Sequence, residues 1–528
     1  MIGAEAIVAT LIDNGVRVCF GNPGTSEMHF VAALDRFPEM QGILCLFEGV
    51  ATGAADGYGR MTGAPAATLL HLGPGLGNGL ANLHNARRAG TPILNLVGEH
   101  SLDHQQLDSP LDSDIDAVAK SVSAWLYRPA CSTDLGPMIA SAVAATSGFT
   151  DAAEARTGTS GSIATVVVPA DLSWSDGAEA AAPLRRPSAR GGELETDAVA
   201  KLLASGEPSA LLLDGDALTI EGLNAADRIA QATGALLFCP TWPAKLRRGA
   251  GVPVVTPLAY RGEDVETQLA GVRHLILAGA RHPVASFGYP GKNGDLVPAG
   301  IGIHVLADEF TAVEAELTNL ADQLAPTLTP RPAPRHDADL PLGLLTRENW
   351  AWVIGALLPS NAIVSDESVT SGLPSLAAAT AGAQPHDVLG LVGLAIGQGL
   401  PLSVGAAVAC PDRPVVCLEA DGSAMYTISA LWTQARENLD ITTVILNNKS
   451  YAILRSELDR VGARNEAGAP STRMIELSEP DLDFVALSHG MGVPATRART
   501  CQELAEQFAA AIAEPGPHLI EAVLQTPV

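Results

Sequence analysis

Asp421 and Asn448 bring a carboxylate and a side-chain amide 27 residues apart, and both are hard oxygen ligands suited to Mg²⁺. Mg²⁺ is usually bound together with substrate or cofactor phosphates, not in an all-protein cage. A second acid, Glu48, stands between the apolar run Ile43 to Phe47 and the small-residue segment Gly49 to Tyr58. A carboxyl buried there without a partner has a raised pKa and stays protonated, able to donate. His71 ends the apolar run before Leu72-Gly73-Pro74-Gly75-Leu76-Gly77-Asn78, and its ring can give or take a proton near neutral pH. Each residue alone has a plainer reading. Asp421-Gly422-Ser423 can be an ordinary turn, Glu48 an ion pair or helix cap, and His71 a structural side chain. His29, His100 and His104 read as surface or helix residues.

The spaced pair is more specific because of what lies around it. Val415 to Leu418 reads as a buried strand, Ile428 to Glu437 as a helix and Ile441 to Leu446 as the next strand. The ligands then sit on loops at strand ends, where α/β sheets bind ligands. Arg17-Val18-Cys19 is a strand leading into Asn22-Pro23-Gly24-Thr25-Ser26-Glu27, a turn and helix start that Thr25 or Ser26 can cap. Ala362-Ile363-Val364 likewise leads into Asp366 to Ser371. In the middle of the chain, Ala210 to Leu213 and His274 to Leu277 are further strands. Two Pro-rich polar stretches, 176–195 (with Arg185-Arg186-Pro187 and Gly191-Gly192) and 325–342, read as linkers. They divide the chain into 1–180, 190–325 and 343–528, three α/β domains with largely parallel sheets flanked by helices.

The chain has 528 residues and a net charge of −26 without any basic block, which argues against nucleic acid and anionic membranes as partners. The content of 47% hydrophobic and only 4% aromatic residues suits layers packed closely through small side chains. Seven cysteines form no Cys-x-x-Cys pair and read as reduced thiols of a cytoplasmic protein. No signal peptide or spanning apolar run is evident.

The stretch Glu419-Ala420-Asp421-Gly422-Ser423 through Asn448-Lys449-Ser450-Tyr451 resembles the thiamine diphosphate motif of the benzoylformate decarboxylase and acetolactate synthase superfamily. Ala420 stands where the family has glycine, a costly change only if φ there must be positive. The resemblance implies thiamine diphosphate and Mg²⁺ as cofactors, in domains ordered pyrimidine-binding, middle and diphosphate-binding. It implies that Asp421, Asn448 and the Ser450 carbonyl bind Mg²⁺. Gly422, Ser423 and Thr370 would contact the diphosphate, with Tyr451 beside it. The Leu394 carbonyl would face the cofactor amino group, and Ile396 would prop its bent shape. Asn22, Pro23, Gly24 and Asn78 fall on segments near the cofactor. Glu48 would hydrogen-bond the aminopyrimidine, promoting deprotonation of thiazolium C2. Thr25 and His71 would place the substrate carboxylate and move protons.

Carboligating relatives often carry a glutamine where Asp112 stands, and the adjacent histidine pair of pyruvate decarboxylases is missing. Ile453 falls on a pocket-lining position and leans the pocket toward small aliphatic 2-oxo acids. The middle region, with Ala278 to Val284 at a strand end, has no Gly-rich FAD loop and is not expected to carry FAD. The expected function is decarboxylation or carboligation of a small 2-oxo acid, acetolactate synthase-like, with a benzoylformate-type decarboxylase as the alternative. A cofactor-binding paralogue with a partner role is the reading from another class, motivated by Ala420 and the replaced glutamine. The resemblance also implies a homodimer or homotetramer whose sites combine the first domain of one subunit with the third of another.

Overall fold

The computed structural model describes residues 1–147, 161–184, 193–308, 311–336, 339–373, 375–463 and 470–525. The first sheet contains β1 (Val18–Asn22), β2 (Gln41–Leu44), β3 (Ala66–Leu70), β4 (Ile93–Glu99), β5 (Trp125–Tyr127) and β6 (Ile163–Pro169). The second contains β7 (Ser209–Leu213), β8 (Leu236–Cys239), β10 (Thr256–Pro257), β11 (His274–Ala278) and β12 (Gly302–Ala307), while β9 (Leu246–Arg248) lies apart from it. The third contains β13 (Ile363–Glu367), β14 (His386–Gly390), β15 (Val415–Ala420), β16 (Ile441–Asn447), β17 (Ala495–Ala498), β18 (His518–Val523) and, at its edge, β9.

Pairing is parallel throughout except for β9, which runs antiparallel to β14 with Leu246 opposite Val388. Parallel strands need crossover helices on both faces, so their runs are apolar without alternation. Every residue of β16 is buried accordingly. The α/β class read from the sequence is the one found. The middle stretch 190–325 nevertheless gives β9 to the third sheet, so chain order and sheet membership part there. Arg185 to Gly192 of the first linker lie outside the described residues.

The strand orders place the chemistry. In the first sheet β1 lies between β2 and β3, and in the third β13 lies between β14 and β15. The order of winding reverses at β1/β3 and at β13/β15, and a crevice opens beyond the carboxyl ends of the strands there. Asn22 and His71 flank the first crevice, Glu367 and Asp421 the second.

The two crevices are joined by close packing of the helix Glu48–Thr62 on the helix Gly399–Ala409. A Cβ on Gly405 would lie 1.8 Å from the carbonyl oxygen of Ala54, and one on Gly57 would lie 2.1 Å from that of Leu402. Only glycine allows backbones this near. At the far end of the Glu48 helix, Arg60 pairs with buried Asp56 at 2.6 Å and donates to the carbonyls of Gly390 at 2.7 Å and Ala244 at 3.2 Å. Thr91 Oγ1 also donates to Asp56 at 2.6 Å. One satisfied ion pair thus ties segments of all three stretches, and removing one partner of such a pair typically costs about 3–5 kcal/mol.

Candidate functional site

β1 ends at Asn22, and Gly24 opens a short 3₁₀ turn, Thr25–Glu27. The cap differs from expectation. Neither Thr25 nor Ser26 supplies it; instead Glu27 reaches back and its Oε2 accepts from the Gly24 N–H at 2.7 Å. An acid three residues on caps the free N–H better than a hydroxyl already inside the turn. The same oxygen meets His71 Nδ1 at 2.9 Å. Glu27 is 4% exposed and its other oxygen has no partner among the described residues. Burial pushes its carboxyl pKa up, opposed by the Gly24 N–H and His71. Gly24 must be glycine here, since a Cβ would lie 2.2 Å from the His71 ring. Thr25 is exposed.

His71 follows β3 directly and N-caps the helix Leu72–Ala89. The Gly73 to Asn78 segment, which reads as a small-residue loop, forms the first two turns of that helix. Pro74 is accommodated because the first helical N–H groups have no partner to lose. The helix carries Asn78 to Glu48, donating from Nδ2 to Oε2 at 2.9 Å. Glu48 opens its own helix and is 9% exposed. One turn further, Asn82 donates to Gly49 O at 2.8 Å and to Gly397 O at 3.3 Å. Asn85 donates to Ala395 O at 2.8 Å and accepts from Ala395 N at 3.2 Å. The start of the Glu48 helix is therefore stitched, within one chain, to the loop that carries Ile396.

In the second crevice β15 ends at Ala420, whose φ of −76° and ψ of 145° are ordinary extended backbone. Alanine costs nothing there, which removes one motive for reading the chain as a cofactor-binding bystander. Asp421 follows, 1% exposed. Its Oδ1 accepts from Gly422 N at 2.9 Å, and its Oδ2 from Asn448 N at 3.1 Å and Lys449 N at 2.6 Å. Burial pushes its carboxyl pKa up to about 6, against the pull of these N–H groups. Asn448 Oδ1 accepts from Ser450 N at 2.9 Å, and its amide donates to Ser371 Oγ at 3.4 Å. The sequence singled out Thr370; Ser371 is the neighbour that reaches Asn448, while the Thr370 carbonyl accepts from Arg347. Gly422 lies against the Tyr451 ring, where a Cβ would be 2.4 Å from Cε1.

The donor set fits Mg²⁺: a buried carboxylate with no basic side chain hydrogen-bonded to it, a side-chain amide oxygen and a backbone carbonyl, all hard oxygens. The helix expected over 428–437 is Ala430–Arg436, and a separate single turn, Asp421–Ala424, follows β15. Between them Thr427 donates its hydroxyl to Gly397 O at 3.0 Å, a bond that competes with helix continuation.

Four non-glycine residues with positive φ fall on these same loops: Leu72 (51°), Val369 (46°), Leu394 (62°) and Lys449 (59°). They lie within two residues of His71, Thr370, Ile396 and Asn448. Such strain, about 1–3 kcal/mol at each residue, gathers at functional sites. Ile396 and Ile453 are half-buried, and Asp112 is exposed. A separate cavity of about 950 Å³ lies between the middle stretch and the other two, touching Trp242, Lys245, Arg281 and Leu394. Neither Glu48 nor Asp421 lines it.

Sequence reading missed Glu27 and Glu367. Glu27 was visible as an acid three residues past Gly24, the spacing of a capping box. Glu367 gave no signal beyond an acid ending an apolar run. Among the described residues no helix is long and apolar enough to cross a membrane.

Residues 1–119 match the N-terminal TPP-binding domain of thiamine pyrophosphate enzymes, and residues 377–522 match the C-terminal TPP-binding domain. The chain is 56% identical over 524 residues to the "Putative acetolactate synthase large subunit IlvX" of Mycobacterium tuberculosis, covering 99% of both chains. It is 30% identical to the benzoylformate decarboxylase of Pseudomonas aeruginosa, covering 97% of both. Its fold matches that of a thiamine diphosphate-dependent 4-hydroxybenzoylformate decarboxylase of Rhodococcus jostii RHA1 with a TM-score of 0.83, at 24% identity over 100% of both chains.

Proposed function

The chain belongs to the thiamine diphosphate-dependent enzyme family, and on that premise we propose that it decarboxylates a small 2-oxo acid with the help of thiamine diphosphate and Mg²⁺. The observation that carries this reading is the couple of His71 and buried Glu27, 2.9 Å apart beside the Glu48 helix. Bound thiamine diphosphate supplies a carbon nucleophile for the ketone and a sink for the electrons left when CO₂ departs.

The protein's own groups do the rest. Glu48, held by Asn78, exchanges a proton with the cofactor's pyrimidine ring. Asp421, Asn448 and the Ser450 carbonyl hold Mg²⁺. Gly422, which has no side chain to block the approach, and the Ser423 N–H, with Thr370 and Ser371, would bind the diphosphate, and Tyr451 would wall it. The Leu394 carbonyl and the Ile396 side chain seat the cofactor, which Asn22, Pro23 and Gly24 border from the other side. Thr25, exposed at the first crevice, binds the substrate carboxylate. His71 delivers a proton to the product carbon, and Glu27 fixes its ring. Ile453 and Asp112 border the substrate, and the β-branched Ile453 favours short aliphatic side chains.

A second reading is carboligation, in which a second carbonyl compound takes the place of the proton. It is favoured by 56% identity to a relative named as an acetolactate synthase large subunit. The protein is further read as a cytoplasmic homodimer or homotetramer. Supporting this, Met28, Leu46, Tyr426 and Leu454 leave apolar surface exposed near the site loops.

The test is to incubate the protein with thiamine diphosphate, Mg²⁺ and pyruvate, 2-oxobutyrate or benzoylformate, with and without an aldehyde. Products are followed by NMR. An aldehyde without acceptor supports decarboxylation, and an acyloin or acetohydroxy acid supports the second reading. No product and no cofactor binding would sink both.

A further inference from the structure

We propose that Glu367 is the positioning residue that holds the Leu394–Gly399 loop in the shape that seats the cofactor. The proposal rests on the reading of that loop given above. Glu367 ends β13 and is 1% exposed. Its Oε1 accepts from Gly397 N at 2.7 Å and its Oε2 from Gly399 N at 2.5 Å. One carboxylate thus clamps the loop carrying Ile396 to the end of β13 at two backbone N–H groups. Two residues earlier on the same face of β13, Ser365 Oγ donates to Gly399 O at 2.9 Å.

The loop has a shape that needs holding. Leu394 has φ of 62° and Gly397 of 93°. A Cβ at Gly397 would lie 2.5 Å from that of Tyr426, so the segment has no room to relax sideways. Across the sheet, Glu367 on β13 is in register with Glu419 on β15. Both are fully buried, and the Glu419 carboxyl lies beside that of Glu367, accepting from Cys417 Sγ at 3.7 Å. A glutamine at 367 keeps the size but presents an NH₂ to donors that need an acceptor. A glutamine at 419 leaves the Glu367 carboxylate and its bonds to Gly397 and Gly399 in place. The two substitutions therefore have opposite expected outcomes.

Three measurements on the full chain test this. Hydrogen–deuterium exchange of the cofactor-free protein reads the loop directly. A titration with thiamine diphosphate and Mg²⁺, followed by tryptophan fluorescence, reads binding; Trp350 donates its indole N–H to Ser371 O at 2.9 Å and so lies beside the diphosphate loop. Near-ultraviolet circular dichroism at saturating cofactor reads how the cofactor sits. For Glu367→Gln, exchange should rise over 394–399, the Kd should rise about tenfold or more, and the cofactor band should weaken. Glu419→Gln should match the wild type in all three. Wild-type exchange and Kd in Glu367→Gln would overturn the proposal. If that variant does not fold, Glu367→Asp, which withdraws the acceptor by one methylene, should show the same three changes, and wild-type behaviour there overturns it equally. Failure of the wild type to bind thiamine diphosphate would instead refute the proposed function and leave the exchange result standing.

Discussion

The imidazole of His71 and the carboxylate of Glu27 face each other at 2.9 Å, each at the end of a different strand of the first sheet's switch point. The same carboxylate oxygen is also held by the Gly24 N–H at 2.7 Å. A ring held in this way keeps one nitrogen committed to Glu27 while its side chain stays 24% exposed, as the proposed proton delivery requires.

Replacing His71 by alanine should lower kcat by roughly 10²–10³-fold, the usual worth of a positioned proton donor. Glu27→Gln should retain the hydrogen bond but not the charge, giving a smaller loss of about tenfold and a displaced pH profile of kcat. Steady-state kinetics from pH 5.5 to 8.5 would check both. A His71→Ala enzyme with wild-type kcat would remove the histidine from the reaction.

Glu48→Gln should bind thiamine diphosphate nearly as the wild type does, because a glutamine keeps the size and an oxygen that can accept from Asn78. The exchange of the cofactor's C2 proton with deuterated solvent should slow by about 10²–10⁴-fold. Quenched-flow NMR of the bound cofactor measures that rate. Unchanged exchange would assign the proton transfer elsewhere.

The positions legible in the sequence are those where type and spacing are both constrained. Asp421 and Asn448 could be found because a strand, a helix and a strand in order fix their separation, and the structure joins them through the Asn448 N–H. Glu48 stood out as an acid opening a small-residue helix, and the packing of Gly57 and Gly405 explains the small residues. The Gly73 to Asn78 segment was misread because glycines signal loops in isolation, whereas tertiary contact overrides propensity: a Cβ at Gly79 would lie 2.8 Å from Thr52. Glu367 and Glu419 were invisible because their meaning arises only from strand register. The transfer of β9 to the third sheet was illegible too, since a three-residue edge strand has no periodicity to read.

The Glu367–Glu419 pair should make the cofactor-free protein less stable as pH rises. Burial raises the Glu367 pKa from 4.5 to about 7, and Glu419, also buried and beside Glu367, is raised as well. The folded state therefore binds these protons more tightly than the unfolded chain. Their contribution is fully present below about pH 4.5 and is lost as pH climbs through about 7. A shift of this size corresponds to roughly a few kcal/mol. The Tm of the cofactor-free protein should fall between pH 5 and 8, and Glu419→Gln should flatten that slope. A wild-type Tm that rises over the same window would contradict the burial argument.

Mixing two inactive variants separates the ways in which the two crevices can combine. The Glu48 helix already packs on the Gly399 helix within one chain, whereas the family resemblance expects sites shared between subunits. Glu48→Gln and Asp421→Ala should each be inactive alone, the first in proton exchange and the second in Mg²⁺-dependent cofactor binding. If each site draws Glu48 from one subunit and Asp421 from another, a mixed dimer contains one site with both native residues. Co-refolded or co-expressed mixtures should then regain about a quarter of wild-type activity, since half of the dimers are mixed and half of their sites are intact. If both residues of a site come from the same chain, every site in the mixture carries one lesion and activity stays at the level of the separate variants. Size-exclusion chromatography with light scattering, run on the same mixtures, shows whether the subunits have associated, so that silence from a monomer is not mistaken for a site built within one chain.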